Sequence, residues 1–233
     1  MRNELTDRRE LLSLAAGLAL PRLVQAAPES PPRVEVVRVP HGGIQPQAVA
    51  DPRGWVHLLY FLGDPSAGDL FYTRRPSGSP TWTAPLRVNR QPGCAVAVGS
   101  IRGGQLALGR RGQVHVVWNG SQAAAEKGPD GSAPVLYSRL LAAGRAFEPE
   151  RNLMRRSRLL DGGASLAADG EGRVVIAWQA APLVGSQAGG GAGAHRHGAG
   201  DGSASRRLFL TRSDDDGGAW SPEQPVDEPP LGA

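Results

Sequence analysis

Three stretches of the chain share one pattern of hydrophobic positions. Each begins with a glycine and continues as an apolar run to an aromatic residue six positions later. They read "GWVHLLY" (54–60), "GQVHVVW" (112–118) and "GRVVIAW" (172–178). A short alternating or apolar segment precedes each stretch, and a second apolar run follows it. Runs of this length, bounded by turn residues, predict short strands.

The spacing continues beyond these strands. The second runs end at Arg74, Arg139 and Arg212, and an aromatic stands eight residues after each of these arginines, namely Trp82, Phe147 and Trp220. A short segment that carries proline follows each aromatic. The pattern therefore predicts a unit of four short strands that occurs three times, and the 32 glycines and 20 prolines suit its many turns.

This repeat predicts an all-β protein, a β-propeller of four-stranded antiparallel blades. About three blades are expected, at residues 34–91, 99–157 and 160–230, which is half of a six-bladed ring. A tandem β-sandwich is the alternative architecture. Because an open stack of blades exposes strand edges, we expect either a fragment of a longer protein or self-association of copies that closes the ring.

Loop lengths indicate which side of the blades carries function. From the repeat glycine to the repeat arginine the interval grows from 20 to 27 and then 40 residues, and the excess lies in 119–134 and 179–206. In an antiparallel blade, the loops between second and third strands share a side with the links between blades. Insertions that collect on one side often mark a binding face.

The N-terminus predicts an export signal at residues 1–26, followed by a linker at 27–33. Arg8 and Arg9 precede an apolar run that is too short to cross a bilayer comfortably, and small residues follow it. This resembles a twin-arginine signal. An ordinary secretory signal and an uncleaved anchor are the alternatives. We expect a periplasmic or extracellular protein with no membrane segment in its mature form.

Composition limits the classes of ligand and partner that the chain is expected to bind. The net charge of +4 comes almost wholly from arginines spread along the chain, which does not favour nucleic-acid binding. The single cysteine, Cys94, excludes an internal disulfide and a cysteine metal cluster. His195 and His197 lie in a glycine-rich stretch that is typical of a solvated loop rather than a metal site. We expect neither a metal nor a cofactor.

One motif resembles a known family. Ser213, Asp215, Gly217 and Trp220 match the pattern Ser-x-Asp-x-Gly-x-x-Trp, which is similar to the Asp box, or BNR repeat, of the sialidase-like propellers. The resemblance implies a structural turn in which the aspartate accepts backbone N–H groups. A calcium loop would need further alternating ligands and a closing glutamate. The resemblance covers roughly residues 34–228, and it implies that residues 34–233 form part of such a propeller.

The family also implies a site that holds an acidic sugar. Arg38 stands in "RVP", which resembles the family's Arg-Ile-Pro motif, whose arginine binds the substrate carboxylate. Asp64, or as an alternative Asp69, would be the acid/base group. The remaining carboxylate-binding arginines would be Arg102 and one of a group of three, of which we choose Arg158 over its neighbours Arg155 and Arg156.

Two functions remain open from the sequence. The resemblance implies an exported glycoside hydrolase that removes sialic acid or a related acidic sugar. Such enzymes use a tyrosine nucleophile with a nearby glutamate, and no such pair is found here, because Tyr60, Tyr72 and Tyr137 fall at strand positions. The alternative is a non-catalytic propeller that binds a glycan or a protein. A glycan or glycoconjugate is the expected partner in the first case.

Overall fold

The computed structural model describes residues 34–99, 101, 103–183 and 206–226. The predicted export signal, Arg102 and the stretch with His195 and His197 lie outside the described residues. The chain divides into two units, residues 1–37 and 38–233. Of the first unit only residues 34–37 are described, and they form no regular secondary structure. No helix in the described ranges is long and apolar enough to span a bilayer.

Twelve strands in the described part of the second unit form three antiparallel sheets of four strands each, and in every sheet the strands lie in chain order. Sheet 1 consists of β1 (Ile44–Ala50), β2 (Trp55–Asp64), β3 (Ala67–Pro76) and β4 (Leu86–Arg87). Sheet 2 consists of β5 (Gly104–Leu108), β6 (Val114–Asn119), β7 (Val135–Arg139) and β8 (Arg151–Asn152). Sheet 3 consists of β9 (Ser157–Ala168), β10 (Val174–Pro182), β11 (Arg207–Ser213) and β12 (Gln224–Pro225).

These sheets confirm the predicted all-β class and the three four-stranded antiparallel units. Three short 3₁₀ turns, Pro40–Gly42, Arg110–Gly112 and Pro129–Gly131, complete the described secondary structure. No sheet closes on itself within the described residues. The arrangement of the sheets as blades of a propeller therefore stays a prediction.

Sheet 2 lies between the other two and packs against both. Val116 and Trp118 of β6 join a buried cluster with residues of sheet 1, whereas Val117 joins a second cluster with Ile176 and Trp178 of sheet 3. Every residue of β6 is therefore buried. This explains why the second strand of the unit is apolar at consecutive positions, since a strand covered on both faces needs no polar side.

An aromatic pair repeats at the two junctions between sheets. Phe147 of sheet 2 packs edge-on against Tyr72 of sheet 1, with ring centroids 5.7 Å apart. Trp220 packs edge-on against Tyr137 of sheet 2 at 4.7 Å. In the second and third units, the aromatic eight residues after the repeat arginine thus contacts the preceding sheet, and not only its own.

A glutamate accompanies each aromatic pair, three residues further on: Glu150 is half-buried and Glu223 is buried. Glu150 accepts the backbone N–H groups of Arg90 and Gln91 at 2.9 and 3.0 Å. Glu223, which is 2% exposed, accepts those of Arg155 and Arg156 at 2.6 and 2.7 Å. Each glutamate therefore fixes the link that leaves the preceding sheet, because it supplies acceptors that the link lacks.

A histidine and a tyrosine form a buried pair in sheets 1 and 2. His57 Nδ1 lies 2.7 Å from the Tyr72 hydroxyl, and His115 Nδ1 lies 2.8 Å from that of Tyr137. Burial lowers the pKa of both histidines. These contacts confine both imidazoles to packing and hydrogen bonding within the sheets.

The carboxylate that faces each histidine comes from a different place. In sheet 1 it is Asp51, 3.5 Å from His57 Nε2 in the turn before β2. In sheet 2 the equivalent position is Gly109, and Asp216 of sheet 3 supplies the carboxylate to His115 at 3.2 Å. A side chain at Gly109 would collide with both groups. Asp216 therefore connects sheet 3 to the core of sheet 2.

Candidate functional site

A cavity of ≈ 400 Å³ opens where three connecting segments meet. These are the β2–β3 turn, the link between β4 and β5, and the loop between β6 and β7, together with the start of β9. We call the side of the sheets on which they meet the loop face, and the cavity the loop-face cavity. Its lining includes apolar side chains from the link and from β9, namely Val96, Val98, Ile101, Leu159 and Leu160.

The link is held in place by backbone pairing on both sides. Ala95 forms an antiparallel bridge to Gly68 at the start of β3 and another to Gly120 after β6. At Gly68 a β-carbon would collide with the ring of Phe61, so this close approach requires glycine. One extended residue thereby joins two sheets and positions the link whose next residue, Val96, lines the loop-face cavity.

Polar side chains in the lining serve mainly the fold. The Asn119 amide donates to the Gly162 carbonyl at 2.7 Å and accepts from the Ala164 amide at 3.1 Å. The Ser121 hydroxyl donates to the Gly93 carbonyl at 2.6 Å. Gln122 is exposed at the edge. The named lining contains no carboxylate and no guanidinium among the described residues.

Leu159 is the strained residue of the loop-face cavity. Its φ is +52°, in the left-handed region, and β9 bulges there relative to β10. A non-glycine residue in this region costs about 1–2 kcal/mol. The bulge leaves the leucine 45% exposed in the cavity wall, as Val98 is at 42%. Bulges and strained residues are concentrated at functional sites.

The predicted acid/base groups are both engaged in local structure. Asp64 ends β2 and accepts the Ser66 backbone N–H at 2.8 Å and its hydroxyl at 2.7 Å. These bonds, the hydroxyl's first, lower the pKa of Asp64. Asp69 accepts the side-chain amide of Asn89 at 2.6 Å and the Gly93 N–H at 2.7 Å. Their catalytic role stays a prediction.

The predicted arginines do not meet in the described residues. Arg38 is exposed, and no hydrogen bond or ion pair of its side chain is found in the described ranges. Arg158 forms an ion pair with Asp130 at 3.0 Å beside the loop-face cavity. Arg155 and Arg156 lie instead at the junction of sheets 2 and 3. Their role in binding a carboxylate is untested.

The Asp-box residues form the turn between β11 and β12. The Ser213 hydroxyl donates to Asp215 at 2.7 Å and accepts the Gly217 N–H at 2.9 Å. The Asp215 carboxylate accepts the Ala219 N–H at 2.8 Å, and this bond is the main cause of its lowered pKa. Gly217 has φ +82°, as expected for glycine in a tight turn. Every hydrogen bond of the Asp215 carboxylate found in the described residues serves the turn.

Cys94 carries no reactive thiol. It is fully buried between sheets 1 and 2. Burial raises the pKa of the thiol to about 12. Since the thiolate is the nucleophile, the side chain acts as a small packing residue.

Comparison with known proteins gives only remote likenesses. No protein-family model and no curated protein matches the chain. Among solved structures, a polysaccharide lyase described as an ulvan lyase is 15% identical, with a TM-score of 0.43 over 77% of this chain and 40% of that one. An endo-arabinase from Bacteroides thetaiotaomicron is 9% identical, with a TM-score of 0.40 over 78% and 61%.

A fucose lectin from Kordia zhangzhouensis, solved with methyl-fucoside, is 15% identical, with a TM-score of 0.36 over 76% of this chain and 95% of that one. The chain spans about 40% of the length of the ulvan lyase. At these scores the likenesses carry no assignment, and the site must be judged on its own chemistry.

The sequence pattern located the loop face but missed several residues that build it. Leu159 had no signal, since nothing in "RSRLLDGG" marks a bulge. Glu150 and Glu223 did have a sequence signal, because each stands three residues after the repeat aromatic. This glutamate was not recognised as part of the repeat because the first unit has Pro85 at the same position.

Proposed function

We propose that the protein is an exported carbohydrate-binding propeller and that the loop-face cavity holds a sugar. The observation that carries the proposal is the cavity itself, ≈ 400 Å³ where the connecting segments of two sheets and β9 meet. Ligand cavities of about 300–1,000 Å³ with a largely apolar lining and few polar groups are typical of small-molecule sites. A sugar offers both an apolar C–H surface and hydroxyl groups.

Binding is favoured over hydrolysis by the state of the acidic groups. A general acid at neutral pH needs a raised pKa, whereas hydrogen bonds from Ser66 lower that of Asp64. Arg158, which stands next to Leu159 of the cavity wall, is neutralised by Asp130. Hydrolysis of sialic acid or a related acidic sugar is the competing function that the resemblance implies.

The test uses a pair of matched variants. Val98 lines the loop-face cavity and is 42% exposed, whereas Val226 is 45% exposed and follows β12. Val98→Asp would place a charge in the cavity wall at little cost to the fold, because the side chain is already in contact with water. Val226→Asp makes the same change elsewhere.

Binding is measured by calorimetry against a panel of neutral and acidic oligosaccharides, with melting temperatures recorded for each variant. We expect at least one glycan to bind, Val98→Asp to weaken it at least tenfold and Val226→Asp to leave it unchanged. Failure of every glycan to bind, or equal binding by Val98→Asp, refutes the proposal. Release of sugar from a sialoside substrate would establish hydrolysis instead.

A further inference from the structure

A second cavity, of ≈ 380 Å³, lies at the junction of sheets 2 and 3. It is bounded by the end of β8, the link that follows it and the segment from Trp220 to Glu223. We call it the rim cavity, because β8 and β12 are the last strands of their sheets. Its wall combines an indole, an apolar floor and several guanidinium groups, from Trp220, Leu153, Arg151, Arg155 and Arg156.

Two of these cations are available to a ligand. Arg155 and Arg156 are exposed, and no acceptor for either guanidinium is found among the described residues. Their backbone N–H groups donate to the Glu223 carboxylate at 2.6 and 2.7 Å, so the backbone that carries each side chain is held in place. Arg151 is already engaged, since it donates to the carbonyls of Gly217 and Gly218.

The indole is held in a fixed orientation beside them. Trp220 packs edge-on against Tyr137 at 4.7 Å and lines the rim cavity. Leu153, 8% exposed, closes the floor. A rigid aromatic surface beside two unpaired guanidinium groups is suited to a ring that has one apolar face and one anionic substituent.

The equivalent cavity between sheets 1 and 2 lacks these features. It measures ≈ 420 Å³ and is lined by Arg90 and Gln91, which occupy the positions of Arg155 and Arg156. The Gln91 side chain donates to the carbonyl of Ala123 and accepts from the N–H of Ala125. The named lining there holds one arginine and no aromatic among the described residues, so the pair of cations is specific to the rim cavity.

We propose that the rim cavity binds an acidic sugar, whose carboxylate or sulfate group is held by Arg155 and Arg156 while its ring lies against Trp220. The proposal rests on the proposed carbohydrate function for its ligand class but uses different residues. Glu126, exposed in the same wall, opposes the anion, because the Asn152 N–H at 3.0 Å is the one group found to bind its carboxylate among the described residues. Removing its negative charge should therefore strengthen binding of an acidic ligand.

The experiment measures binding of three oligosaccharides to the full chain by calorimetry at low salt: an oligogalacturonate, a sulfated oligosaccharide and a neutral one of equal length. We expect at least one acidic ligand to bind and the neutral ligand to bind at least tenfold more weakly. Arg155→Ala/Arg156→Ala should weaken the acidic ligand at least tenfold, and Glu126→Gln should tighten it severalfold. Arg90→Ala, the matched control, should change nothing.

Whichever acidic ligand binds identifies the group as carboxylate or sulfate. Unchanged binding by the double variant, an equal loss in Arg90→Ala, or equally tight binding of inorganic sulfate would overturn the proposal. Val98→Asp separates the two sites. If it abolishes glycan binding while the double variant does not, the loop-face proposal stands and the rim proposal fails. The reverse pattern retains the rim site alone.

Discussion

Glu223 offers the sharpest test of how neighbouring sheets are joined. Its carboxylate is 2% exposed and accepts three hydrogen bonds, from the Arg155 and Arg156 N–H groups and from the Ser157 hydroxyl at 2.7 Å. A hydrogen bond to a charged group contributes about 1.5–3 kcal/mol. Taken at the lower end for each of the three bonds, Glu223→Ala should cost about 4.5 kcal/mol.

Glu150 provides an internal comparison. It holds the equivalent link with two backbone bonds, at Arg90 and Gln91, so Glu150→Ala should cost about 3 kcal/mol on the same basis. Glu223→Gln keeps one acceptor and should fall between the wild type and Glu223→Ala.

The free energy of unfolding is measured by urea titration, followed by both circular dichroism and tryptophan fluorescence. With a slope of about 2 kcal/mol/M, Glu223→Ala should lower the midpoint by about 2 M. A loss below about 1 kcal/mol for Glu223→Ala, or a larger loss for Glu150→Ala, would show that water replaces these carboxylates and that our reasoning is wrong.

Three further predictions concern the turns and the buried histidines. Asp215→Ala should lower the melting temperature but leave any glycan affinity per folded molecule unchanged, as calorimetry on folded protein would show. Gly109→Ala should destabilise the protein by about 1–3 kcal/mol, because its methyl group meets both His115 and Asp216; urea midpoints report this. Since burial lowers the pKa of His115, stability should be complete above about pH 6.5 and fall as the pH drops through the folded value, with a shallower slope in His115→Gln.

The strand pattern was predictable because each second strand of the unit is apolar and bounded by glycine, and such periodicity is a local property. The side of the sheets that bears the connecting segments followed from strand parity alone. The packing partners were not predictable in the same way. Asp216 replaces, from another sheet, a carboxylate that Gly109 cannot provide, and a contact 101 residues apart leaves no local pattern.

The site was less predictable than the fold. Leu159 gains its exposed, left-handed conformation from a register shift between β9 and β10, which depends on pairing and not on composition. Arg155 and Arg156 were considered only as alternatives to Arg158 for a carboxylate site. Their availability became visible only when Glu223 was seen to hold their backbone and leave their side chains without partners in the described residues.

The glutamates at the two junctions also affect the order in which the sheets fold during synthesis. Sheets 1 and 2 are each completed by residues that the ribosome makes after the sheet itself, because Phe147 and Glu150 complete sheet 1, and Trp220 and Glu223 complete sheet 2. A nascent chain that has emerged only to residue 140 holds all four strands of sheet 1 but lacks its fastener. Folding during translation should therefore lag by one unit, and a premature stop should weaken the sheet before the break as well as the one it interrupts.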